Sequence, residues 1–130
     1  MVAKKVKRVI LFLLISIIAT IISAYFVLYA PKVHVYAIND SSCPLNVSIK
    51  LDKKVVMNSQ VNGWWMGVSG HKSVTTNLHI GKHEIQVFTI NMSHQKMGYV
   101  EVYHDCNILV YLRLGGVVEI ITTNEDPHFK

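Results

Sequence analysis

The sequence predicts an all-β, immunoglobulin-like antiparallel β-sandwich preceded by one N-terminal transmembrane helix. Three observations carry that prediction. Val9–Ala30 is a nearly unbroken apolar run, interrupted only by Ser16, Thr20 and Ser23. Beyond Pro31 the hydrophobic period drops to two. The alternating runs are short, evenly spaced and separated by turn residues, the signature of a sandwich or barrel rather than of βαβ units.

The apolar run comes first. A bilayer core takes roughly 20 apolar residues in a helix, and the three hydroxyl residues can bond back to the helix backbone. Lys4, Lys5, Lys7 and Arg8 stand directly ahead of it, so the positive-inside rule places residues 1–8 in the cytoplasm, residues 9–30 in the bilayer and residues 31–130 outside. Tyr25, Phe26 and Tyr29 fall near the outer end, where amphipathic rings prefer the headgroup layer. A cleaved signal peptide is the rival reading, but its apolar region spans roughly 7–15 residues and ends in a small-x-small site. Here Ile22 occupies the position two before Ala24. The expected location is thus the cell membrane, single-pass, with an extracytoplasmic C-terminal domain and the bilayer as first partner.

About a hundred residues remain after the anchor, enough for one domain with a single core. The net charge of +5 owes much to the N-terminal cluster, which suits anionic headgroups. The outer part lacks the basic stripe with interleaved aromatics that a nucleic acid requires. Leu45, Val47, Ile49 and Leu51 alternate with Asn46, Ser48, Lys50 and Asp52, which reads as a half-buried strand. Val74, Thr76, Leu78 and Ile80 repeat the pattern, as do Ile108, Val110, Leu112 and Leu114. Further strands are expected at Val33–Ile38, Val55–Val61, Glu84–Ile90, Gly98–Tyr103 and Val117–Thr122. Turns are expected at Asp52–Lys54, Ile80–His83, Asn91–Lys96, His104–Asn107 and Gly115–Gly116. Pro31 and Lys32 leave almost no linker, which predicts a domain close to the membrane surface.

Cys43 and Cys106 both fall in the outer part, where an oxidising compartment favours a disulfide. Each sits in a turn-like context, so the expected bridge ties strand ends together, with the strands after Cys43 and Cys106 starting side by side. Seven histidines raise the question of a metal. His79 and His83 flank Gly81 and would face each other across a tight hairpin, as two imidazole ligands require. Met92, His94 and Met97 offer two thioethers and an imidazole, a set that suits cuprous copper; against it, Lys96 stands within the loop and Met also fills packing gaps. Copper or zinc binding is therefore the alternative function.

Trp64 and Trp65 lie between Gly63 and Gly67. Adjacent residues of a strand point to opposite faces, so one ring is expected in the core and the other outside. With Met66 and His71 they make the best candidate contact site for a partner. Catalysis finds no support: Asp40, Asp52, Glu84, Glu101, Asp105, Glu119, Glu125 and Asp126 form no acid–base constellation, and Ser69-Gly70-His71 is not a nucleophile elbow. Asn39, Asn46 and Asn91 begin N-x-S sequons.

From Leu51-Asp52-Lys53 through Leu78–Val87 to Val110-Tyr111-Leu112, the chain resembles the PEGA-type β-modules of bacterial and archaeal surfaces. The L-x-x-G-x-H-x-I-x-V stretch from Leu78 to Val87, taken as a hairpin, carries the likeness, and the Gly63–His71 insert departs from it. The resemblance implies an envelope interaction or spacer module without catalysis; independently of it, no cofactor or small-molecule substrate is expected, and the expected partner is another envelope or membrane protein.

Overall fold

The computed structural model describes residues 2–67 and 69–125 and divides into two units, residues 1–30 and 31–130. Val68 and Asp126 lie outside the described residues. In the first unit a single helix, α1, runs Val2–Leu28. It begins seven residues before the expected span and stops two short of Ala30, because a helix needs no apolar boundary to include Lys4 to Arg8. Its apolar stretch is long enough to cross a membrane, since the twenty residues from Val9 to Leu28 rise about 30 Å. Thr20 Oγ1 donates to the Ser16 carbonyl at 2.8 Å, which satisfies that hydroxyl within the helix. Tyr25 and Tyr29 stack with ring centroids 5.3 Å apart.

The second unit has eight strands among the described residues: β1 Lys32–Asn39, β2 Leu45–Leu51, β3 Lys54–Val61, β4 Gly70–Asn77, β5 Gly81–Thr89, β6 Gln95–Val102, β7 Cys106–Leu112 and β8 Val118–Thr123. They form two four-stranded sheets, ordered β4-β1-β7-β8 and β3-β2-β5-β6. One core takes side chains from both sheets: Val33 and Val35 of β1, Ile108 and Val110 of β7, Ile49 of β2 and Ile85 of β5. The central strand β7 is buried along nearly its whole length, whereas the polar edge strand β4 is half-buried at most. Leu114–Gly116 is a single 3-10 turn.

Short turns lead to antiparallel pairing, and every described strand pair obeys this except β1 with β7, which run parallel with Val33 opposite Cys106 and Asn39 opposite Leu112. The two are far apart in sequence, so no tight turn dictates their sense. The β2–β3 hairpin closes through Asp52 and Lys53, both with positive φ (51° and 66°), as a two-residue turn matching the sheet twist demands.

Two expectations are overturned. Leu78–Val87 is not a hairpin: β4 belongs to the first sheet and β5 to the second, so Leu78–Ile80 crosses between sheets and Gly81 already belongs to β5. Alternation continues past Asn77, but the partner strand ends, since Lys32 at the start of β1 pairs with Asn77.

The Cys43–Cys106 disulfide is also overturned, for both thiols are free. Cys106 lies beside Val33 at the start of β1, whereas the Cys43 carbonyl accepts a hydrogen bond from Asn39 Nδ2 at the end of β1. Val33 and Asn39 are six strand steps apart, about 20 Å, against the roughly 7 Å that a disulfide spans. Nor do the strands after the two cysteines start together: β2 pairs with β5, and the parallel neighbour of β7 is β1.

Candidate functional site

Strand directions sort the connections by end. The β1–β2, β3–β4, β5–β6 and β7–β8 connections gather at the end of β1 remote from Pro31, and the other three at the end where the chain enters the domain. The remote end is the candidate site.

Asn39, fully buried, organises it. Its amide donates to the carbonyls of Cys43 (2.8 Å) and Val61 (3.1 Å), and its Oδ1 accepts from the backbone and hydroxyl of Ser41. That burial also takes the first sequon out of use, since a glycan needs an exposed amide. The β3–β4 loop is pressed onto this frame: Trp64 N–H donates to the Ser41 carbonyl at 2.7 Å. A Cβ on Gly63 would come within 2.8 Å of the Ser42 carbonyl, and one on Gly70 within 1.7 Å of the Asn62 carbonyl. Both glycines are thus required by close backbone approach.

Ser69 Oγ donates to Asp40 Oδ1 at 2.5 Å. Arg113 donates through Nη1 to Asp40 Oδ2 (3.2 Å) and through Nε to Glu119 Oε2 (2.8 Å), with its guanidinium 4.7 Å from the Tyr111 ring centroid. The β5–β6 loop joins the frame through His94, whose Nε2 lies 2.7 Å from the Arg113 carbonyl.

Large apolar side chains stand on this polar frame. Trp64 is 51% exposed, Trp65 75% and Met66 82%. Leu114 is 72% exposed, and Val117, Ile90 and Met92 are also exposed. The expectation that one tryptophan enters the core is corrected: Trp65 lies in an isolated bridge and Trp64 in irregular chain, so neither ring follows the alternation of a strand. Two open clefts flank the pair. Trp64 lines one of about 580 Å³ with Asp40, Ser42, Ser69 and Leu114. Trp65 and Met66 line another of about 470 Å³ with His71 and Lys72. Leu114 and Val117, expected in strands by their alternation, correct that expectation: β7 ends at Leu112 and β8 starts at Val118, so both fall in the Gly115-Gly116 connection and are exposed.

The candidate ligands His94, Met92 and Met97 are placed as follows. His94 is buried, with Nδ1 3.0 Å from Ser93 Oγ and Nε2 on the Arg113 carbonyl, so both ring nitrogens are engaged. Met92 occupies the β5–β6 turn and Met97 lies within β6 opposite Gln86, both exposed. Lys96 Nζ reaches the Val118 carbonyl at 3.3 Å.

His79 and His83 meet ring to backbone rather than ring to ring. His83 Nε2 lies 2.6 Å from the His79 carbonyl and Nδ1 2.5 Å from Asp52 Oδ2, while Glu84 N–H donates to Asp52 Oδ1 at 3.0 Å. Burial opposes the charge on His83, but these two acceptors outweigh it and raise the imidazole above its ordinary value. Burial likewise opposes ionisation of Asp52, but the bonds from His83 and Glu84 lower its carboxyl. Among the described residues no three His, Cys, Asp or Glu side chains gather as a metal centre.

No protein-family model matches the chain, and no curated protein matches it.

Proposed function

We propose that the chain is a non-enzymatic interaction or structural module of the cell envelope, anchored in the membrane by residues 9–30. Its N-terminus faces the cytoplasm, and its two sheets face each other outside as an immunoglobulin-like sandwich. The remote loops, with the Trp64–His71 segment foremost, meet another envelope or membrane protein.

The single observation that carries this reading is the concentration of exposed Trp64, Trp65, Met66 and Leu114 at the end of the domain farthest along β1 from Pro31. Contiguous apolar patches of this kind mark interaction sites on soluble domains, and tryptophan is enriched where binding energy concentrates. The loops are braced by Asn39, Asp40 and Arg113, so a partner meets a formed surface and little ordering entropy is lost.

The test has two arms. Protease added outside intact cells should remove the domain and leave the anchor; protection of the whole chain would contradict the orientation. A protein captured by wild-type chain from native membrane should be lost with Trp65→Ser and Met66→Ser together, and its retention would remove the loops from the interface.

A further inference from the structure

The geometry points to a saccharide-binding cleft on the Trp64 side of the remote loops, taking a neutral sugar ring stacked on that indole. This goes beyond the protein-partner reading, which shares Trp64 and Leu114 with this cleft but is tested at Trp65 and Met66 in the neighbouring one.

Four features converge. The cleft of about 580 Å³ falls inside the range of roughly 300–1,000 Å³ typical of small-ligand sites. The backbone that carries its aromatic wall is held: Trp64 N–H is bonded to Ser41, Gly63 is wedged against Ser42, and Trp64 is half exposed. A flat apolar plate of that kind matches the C–H face of a pyranose.

The polar wall is equally fixed. Asp40 takes one hydrogen bond on each carboxylate oxygen, from Ser69 and from Arg113, which leaves each oxygen a further lone pair for a ligand hydroxyl. Among the described residues Ser42 Oγ has only a 3.9 Å contact with Cys43 Sγ and can donate or accept. The Asp40 carboxylate is only partly offset, because the Arg113 guanidinium that sits against it is shared with Glu119. An anionic ligand would meet the Asp40 carboxylate, whereas a ligand hydroxyl would meet an acceptor already oriented by Ser69 and Arg113. An uncharged molecule with an apolar face and a rim of hydroxyls satisfies the whole set.

Full-length protein in phosphatidylcholine nanodiscs, free of glycoside detergents, tests this with neutral tetrasaccharides of β-linked glucose, β-linked mannose and N-acetylglucosamine, read by tryptophan fluorescence and by saturation-transfer NMR. At least one sugar should bind saturably with a dissociation constant of about 1 mM or below. Trp64→Ala should abolish binding, Trp64→Phe should retain it at reduced affinity, and Asp40→Asn should weaken it tenfold or more. Trp65→Ala should leave it within twofold. No saturable binding by any of the sugars, or equal loss with Trp64→Ala and Trp65→Ala, would overturn the assignment. Sugar binding that survives while protein capture fails would sink only the protein-partner reading.

Discussion

His83 stands between two acceptors, Asp52 Oδ2 at 2.5 Å and the His79 carbonyl at 2.6 Å, and so ties the β2–β3 turn to the start of β5 and to the crossover before it. Neither acceptor brings a proton when Asp52 is ionised, so the imidazolium satisfies both and the neutral ring only one.

That geometry sets a pH dependence. The raised His83 contributes stability that is complete below the unfolded value near 6.5 and is lost as pH rises through the folded value. The lowered Asp52 contributes stability above the unfolded value near 3.8 and loses it as pH falls through the folded value. The domain should therefore be most stable between these two values. Thermal unfolding of the full chain in nanodiscs across that range should show the maximum. Asp52→Asn should flatten it and cost about 1 kcal/mol, or several degrees. An unchanged pH profile in the variant would remove the pair from the account.

Lys53 holds a left-handed backbone at φ 66° in the hairpin, which costs a side-chain-bearing residue about 1–2 kcal/mol. Lys53→Gly should raise stability by about 0.5–1 kcal/mol after the extra chain entropy of glycine is deducted. A lower melting temperature would mean that Lys53 makes a contact worth more than the strain.

Three glycines separate steric from conformational demand. Gly70→Ala drives a Cβ into the Asn62 carbonyl and should cost about 2–3 kcal/mol or more. Gly67→Ala has open space but φ +83°, and should cost about 1–2 kcal/mol. Gly98→Ala has neither obstacle and should be neutral or stabilising. Denaturant midpoints rank the three, and Gly70→Ala falling level with Gly98→Ala would contradict the tight β3–β4 loop.

Cys43 is exposed and Cys106 buried, its thiol pushed up first by burial and then by Asp105. Native protein treated with iodoacetamide should gain one adduct, at Cys43, and a second only after unfolding. A mass two hydrogens light in oxidised, unlabelled protein would restore the bridge that the strand ends forbid.

Much of this fold is legible in the sequence wherever burial alternates with period two: Leu45–Leu51 coincides with β2, and the Asp52–Lys53 turn falls where polar residues interrupt the pattern. Leu78–Ile80 misleads because alternation reports faces and not sheet membership, so a crossover and a hairpin read alike. The separation of the two cysteines is legible as well. Connections alternate ends in such a fold, and Cys43 sits in the first connection while Cys106 follows the sixth. The Trp64–His71 loop announces itself by composition. Its braces do not, for Asp40 and Arg113 are 73 residues apart and Asp52 and His83 are 31 apart, each joined only by sheet pairing.

The most direct test of the central claim is site-specific photo-crosslinking in native membranes, with a photoreactive phenylalanine analogue replacing Trp65 in one variant and His79, at the opposite end of the domain, in another. The account predicts a discrete protein adduct from position 65 and none from position 79. Adducts of equal yield from both positions, or none from position 65, would contradict it.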